Sequence, residues 1–275
     1  ENLTKLLQSL AHDAPQNQID DLIRSRLTDM FKPARRSAYD IVLPLPKLAD
    51  VAEKMRSGRV LLMVSPDSDI PPDELTKFFE GVTQKNNLCV LTGDKTAMAS
   101  LDRAARQVFA SERADTRIPQ GHVQREELEQ KQQSYEMGFT STVLGLFDKV
   151  QFPNQRAGRS PELVSKALDT TRDPAKPFNG EEQVEKTLTS VPGKLYLDVE
   201  NDFDLLREKA QELLWPDNQD DVRWSDAAER YYEQAGMPWL PPRGLDNLKV
   251  VACNRGAWED LGNGYITKVP KKKRT

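Results

Sequence analysis

Apolar residues follow two patterns along this chain, and each predicts a different element. Leu3, Leu6, Leu7 and Leu10 form one stripe, and Ile19, Leu22, Ile23, Leu27, Met30 and Phe31 form another. Both have the three-to-four spacing of a buried helical face, so residues 1–32 read as two helices, stopped by Pro33. A short extended run follows at 39–44. Residues 59–64 and 87–91 are continuous apolar runs, the pattern of strands covered on both faces. Between them, 72–81 opens with Pro-Asp-Glu and closes on Gly, which predicts a helix. Strand, helix and strand at this length form a βαβ unit, so a parallel sheet is expected.

Downstream, Thr96 can cap a helix whose inner face is Leu101, Ala104, Ala105 and Val108. A long helix is predicted from about 123 to 150. Its first half, Glu126 to Gln133, is nearly all polar and reads as an arm toward solvent or another protein. Its second half carries Tyr135, Phe139, Val143, Leu146 and Val150 on one stripe. Residues 152–161 read as a domain boundary. Beyond it, 161–168 and 181–188 are expected helices, 194–199 a short strand, and 202–214 a helix capped by Asp202 or Asp204. Ser225 caps the next helix, and 245–261 keeps helical register despite Gly256. Residues 265–269 read as a strand.

Composition narrows the class. The net charge of −4 comes from nearly cancelling signs, so neither self-repulsive disorder nor a global basic field is expected. The two cysteines, Cys89 and Cys253, lie in separate apolar stretches, which favours a reducing, cytoplasmic setting. The Asn2-Leu3-Thr4 triplet matches a glycosylation acceptor without secretory context. No apolar run approaches the roughly 20 residues of a membrane span. The chain opens on Glu1 rather than Met, as a processed or excised piece would.

The chemistry-bearing motifs are mostly absent. There is no G-x-x-x-x-G-K-S/T loop, no G-x-G-x-x-G and no G-x-S-x-G elbow. His12 and His122 have no ligand-spaced neighbours, so no metal is expected. Asp198, Glu200, Asp202 and Asp204 alternate as in a calcium loop, but Phe203 replaces the turn glycine and Lys209 the closing glutamate. Polar residues at the C-terminal ends of parallel strands are where ligands sit in open α/β sheets. Ser65, Asp67, Thr92 and Asp94 occupy such places and are candidate nucleotide sensors, with turn formation as the plainer reading. Arg103 and Arg106 on the next helix could reach a neighbour's phosphate as an arginine finger does, or pair with Asp102 or Glu112. In the second half, the order of helices, helix and strand fits a winged helix. Lys249, Arg255 and Lys268, with the tail Lys271, Lys272, Lys273 and Arg274, are the candidate nucleic-acid contacts. Asp217, Asp220, Asp221, Glu259 and Asp260 oppose that use, so a winged helix serving protein contact is an equal alternative.

Two stretches carry a family resemblance. One runs from Asn86 to Asp94, through an Ala- and Arg-rich helix, to the long helix before Phe152-Pro153. The other comprises Leu213 to Pro216, Val222 to Asp226, Pro238 to Pro242 and Gly256 to Ile266. Over roughly residues 40–270 the chain resembles the C-terminal side of large bacterial P-loop (AAA-like) ATPases of anti-phage defence islands. Those proteins carry a domain of unknown function and are related to the bacteriophage-exclusion ATPases. The resemblance implies a parent that handles ATP and magnesium elsewhere, with no cofactor in this chain. The remainder of the parent, other defence proteins or DNA would be its partners.

The sequence therefore predicts an α/β domain over 1–154, with a partial parallel sheet completing a P-loop-type sheet. A mainly helical, winged-helix-like domain over 155–275 follows. No catalytic site and no membrane contact is expected. The expected role is a non-catalytic portion of a phage-defence ATPase, with a stand-alone winged-helix DNA-binding regulator or a protein scaffold as alternatives.

Overall fold

The computed structural model describes residues 2–34, 38–93 and 98–270. The chain runs α1 (Leu3–His12), α2 (Gln16–Met30), β1 (Ile41–Pro44), α3 (Leu48–Met55), β2 (Leu61–Val64), α4 (Pro72–Gly81) and β3 (Leu88–Thr92). It continues through α5 (Met98–Asp115), α6 (Arg125–Leu146), β4 (Lys149–Asn154), β5 (Glu162–Ala167) and α7 (Gly180–Thr189). The C-terminal part comprises α8 (Phe203–Leu213), β6 (Asp221–Arg223), α9 (Trp224–Glu233), α10 (Gly244–Asn254), β7 (Trp258–Gly262) and β8 (Tyr265–Lys268).

The first sheet has the order β1-β2-β3-β4-β5. β1, β2 and β3 are parallel, with Leu61 opposite Leu88, and β4 and β5 add an antiparallel hairpin. Alternate side chains of β2 and β3 enter different cores. Leu61, Met63, Leu88 and Val90 pack with Val51 and Met55 of α3 and with Leu75 and Phe79 of α4. Leu62, Val64, Cys89 and Leu91 face α2, α5, α6 and α7 through residues such as Ile23, Val108, Val143 and Val184. Cover on both faces is the physical reason for the continuous apolar runs. α1 joins the end of α5 and the start of α6 in a smaller cluster around Leu3, Leu7 and Leu128.

The C-terminal part has its own core. Leu206, Leu214, Trp215, Val222, Leu248, Trp258 and Ile266 are buried between α8, α9, α10 and a three-stranded antiparallel sheet ordered β6-β8-β7.

Several expected elements come out differently. Residues 161–168 are strand rather than helix: Phe152, Pro153 and Asn154 pair with Val164, Leu163 and Glu162. A segment this short gains more from an existing sheet edge than from nucleating a helix. The expected boundary at 152–161 is therefore a hairpin, and the sheet continues past residue 154. The first core draws on residues as late as Leu195 and Trp239. The long helix stops at Leu146, and Val150 belongs to β4. Its polar half is docked, with Leu128 fully buried and Arg125 donating to Asp115 O and Ile118 O, while Glu126, Glu127 and Glu129 face outward. Residues 194–199 form no strand beyond one bridge between Leu195 and Trp239. Ser225 lies inside α9, whose N-cap position is Arg223. Asp202 does hold the N-cap position of α8, but its side chain makes no capping bond.

Residues 245–261 divide into α10 and β7 because Gly256, at φ +68°, ends the helix. Gly256 N donates to Cys253 O and Ala257 N to Ala252 O, the paired bonds of a Schellman cap. The Thr96 cap lies outside the described residues.

Candidate functional site

The strand ends expected to sense a phosphate do come together, but they are occupied with one another. Thr92 Oγ1 donates to Asp67 Oδ1 at 2.6 Å, and Ser65 Oγ donates to Asp69 Oδ2 at 3.4 Å. The Asp67 backbone N–H reaches Gly93 O, which ties the turn after β2 to the end of β3. Ser65 and Thr92 are buried. Asp94 lies outside the described residues. An acidic pair with committed hydroxyls closes turns and offers a phosphate little.

Arg106 is also engaged within the chain. It meets Asp102 Oδ2 at 2.8 Å, Ala11 O and Ala14 O at 3.1 Å each, and Gln16 Oε1 at 2.6 Å. Its fork thus fastens the α1–α2 turn onto α5. Burial raises the Asp102 carboxyl, and hydrogen bonds from Gln16 and Arg106 outweigh it, so Asp102 titrates below the ordinary carboxylate value. Arg103 is exposed on α5.

Three of the expected nucleic-acid contacts, Lys249, Arg255 and Lys268, each have an internal neighbour. Lys249 Nζ lies 5.2 Å from the Trp224 ring centre, and the Arg255 guanidinium lies 4.6 Å from that of Phe203. Lys268 Nζ is 3.9 Å from Asp220 Oδ1. Lys271, Lys272, Lys273 and Arg274 lie outside the described residues. The outward stripe of α10 is Asn247, Val250 and Asn254, and the β7–β8 hairpin exposes Leu261 and Tyr265. Over 199–270 there are eight Lys and Arg against fourteen Asp and Glu, a net charge of 8 − 14 = −6.

The most heavily built polar cluster was not anticipated from the sequence. Lys194 is 4% exposed, and its Nζ donates to Asn86 Oδ1 and to Pro153 O, both at 2.9 Å. The Trp239 ring lies beneath that ammonium, and Trp239 Nε1 donates to Asn86 O at 2.7 Å. Asn86 Nδ2 in turn donates to Tyr231 O of α9. Burial holds Lys194 well below the ordinary lysine value, with Cys89 acting in the opposite sense. Burial pushes the Cys89 thiol up to about 12 despite the lysine charge. The cluster joins the first sheet to the C-terminal part. Its sequence signal was slight: one Lys in an apolar stretch, and a Trp among prolines.

Among the described residues, no group of three or more His, Cys, Asp or Glu is placed to hold a metal ion. None of their helices is long and apolar enough to cross a membrane. No known protein family, curated protein or solved structure matches the chain.

Proposed function

We propose that this chain is a non-catalytic interaction segment whose first sheet carries a winged-helix-type module for contact with a protein partner. The element order α8-β6-α9-α10-β7-β8, with its strand order β6-β8-β7, supports the module assignment. In this reading α10 stands where a recognition helix would, and the β7–β8 hairpin is the wing.

The observation that carries the choice of partner is charge. Duplex DNA is bound by neutralising phosphates with Lys and Arg. The module instead carries −6 over 199–270 and stays acidic, at 12 − 14 = −2, with the basic tail counted, and Lys249, Arg255 and Lys268 sit against Trp224, Phe203 and Asp220. The outward positions Val250, Leu261 and Tyr265 are 52%, 49% and 45% exposed, as suits apolar anchors in a protein contact. On the resemblance over residues 40–270, the partner is the remainder of a cytoplasmic phage-defence P-loop ATPase, which would supply ATP and magnesium handling.

The reading is tested in two arms. Fluorescence anisotropy with a labelled 30-base-pair duplex, at about 150 mM salt, should show no saturable binding. A photo-crosslinking amino acid at position 250 should give a discrete protein adduct in cells, lost when Tyr265→Asp is added. Saturable duplex binding that disappears in Lys249→Ala and Arg255→Ala would sink the reading in favour of the DNA-binding regulator.

A further inference from the structure

A cleft of about 250 Å³ opens between the first sheet and the C-terminal part. Its sheet side is formed by Asp40, just before β1, and Arg59, just before β2. Its other side is formed by Tyr232 of α9 and by the start of α10, with Arg243, Leu245 and Asp246. This is the end of the sheet opposite the strand ends discussed above. Clefts between separately cored parts of a chain are common ligand sites.

The charged groups here are poorly engaged with one another. The Arg59 and Arg243 guanidiniums have no hydrogen-bond or ion-pair partner among the described residues, and neither has the Tyr232 hydroxyl. Asp40 uses Oδ2 to accept from Val60 N, and Asp246 uses Oδ1 to accept from Trp224 Nε1, so each carboxylate keeps a second oxygen. Arg243 is held at φ +62°, a left-handed conformation that a non-glycine residue adopts at a cost of about 1 kcal/mol or more. Burial raises the Tyr232 hydroxyl, with Asp40 and Asp246 adding to the shift and Arg59 opposing it, so these three charged groups lie close enough to act on Tyr232.

Each group suits one part of a single small ligand. Two unpaired guanidiniums match the oxygens of a phosphate, the donor fork of arginine being shaped for it. A half-buried tyrosine ring offers a stacking face to a base. Carboxylate oxygens accept from exocyclic amino groups on base edges. We propose that this cleft binds a nucleoside monophosphate whose base carries an amino group, with Arg59 and Arg243 on the phosphate, Tyr232 against the base and Asp40 or Asp246 on its amino edge. The site is independent of what the outward face of α10 contacts.

Because Asp246 holds the Trp224 indole N–H, that proton is a built-in reporter for nuclear magnetic resonance. AMP and GMP, titrated into the intact chain, should shift it saturably with a Kd below about 1 mM, at least about tenfold tighter than inorganic phosphate, adenosine or UMP. Arg59→Ala, Arg243→Ala and Tyr232→Leu should each weaken AMP by about tenfold or more, with folding verified from the remaining spectrum. A single-stranded pentanucleotide separates the sources. Binding no tighter than AMP identifies a free nucleotide, and tighter binding with the same arginine dependence identifies a nucleotide within a strand; both retain the site. The proposal is overturned if no saturable shift occurs by about 10 mM, if phosphate alone or UMP binds as well as AMP, or if the arginine variants bind unchanged.

Discussion

The ammonium of Lys194 lies 4.1 Å from the centre of the Trp239 ring. Among the described residues no carboxylate pairs with it; two carbonyl-type oxygens at 2.9 Å, the Met237 carbonyl at 3.5 Å and the π face surround it instead. A lysine whose folded-state value is depressed leaves the unfolded chain with more bound protons between that value and 10.5. Stability therefore rises with pH through that window and is level below the folded value and above 10.5. Lys194→Met should remove this rise. Urea midpoints of the wild type and the variant, measured side by side from neutral pH to about pH 10, should diverge steadily in favour of the wild type. Parallel curves would show that Lys194 does not change its proton affinity on folding.

Arg106 gives a contrasting expectation, because its acceptors are mostly half-buried and include a carboxylate and two backbone carbonyls. Arg106→Ala should lower stability by about 2 kcal/mol, and Arg106→Lys should recover under half of that, since one ammonium cannot span the same acceptors. Chemical denaturation measures both. A neutral Arg106→Ala variant would return this residue to the candidates for contact with a phosphate on another subunit.

Gly93 marks a close approach of backbone to backbone. A Cβ there would sit 1.8 Å from Leu146 O, at the end of α6. Gly93→Ala has to push α6 away from β3, so a loss of about 3 kcal/mol or more is expected in a thermal or urea melt. A loss under about 1 kcal/mol would mean that the α6–β4 corner moves freely.

How much could be read from the sequence depended on how many side chains voted for each element. β2 and β3, buried on both faces, declared themselves through runs such as Leu61-Leu62-Met63-Val64. α4 carried a start and a stop signal and was placed at its observed bounds. β4 and β5 were illegible, because an edge hairpin shows only a partial alternation and Gln151 and Ser165 dilute it. β6 has one inward residue, Val222, which is too little for any periodicity. Ser65, Asp67, Thr92 and Asp94 stand at strand ends, where turn-forming Asp and Thr look the same as ligand-binding ones. Lys194 and Trp239 are far apart in sequence, and only the packed fold reveals them as neighbours.

Gln183 of α7 is 3% exposed, and neither its Nε2 nor its Oε1 has a hydrogen-bond partner among the described residues. A buried amide left unpaired costs about 1–3 kcal/mol. Gln183→Leu, close in volume, should raise stability by about 1 kcal/mol, read as a higher urea midpoint at unchanged slope. A lower midpoint would mean that solvent satisfies the amide.

The indole of Trp239 has a consequence for the order in which the polypeptide can mature on the ribosome. Every strand of the first sheet has been synthesised by residue 167, yet the hydrophobic cluster behind it is completed by a ring that arrives some seventy residues later. Until then Asn86 O has no indole donor and Lys194 no aromatic floor. A nascent chain paused before residue 239 therefore exposes an unfinished seam, and cutting the gene between the two cores would leave that seam permanently open.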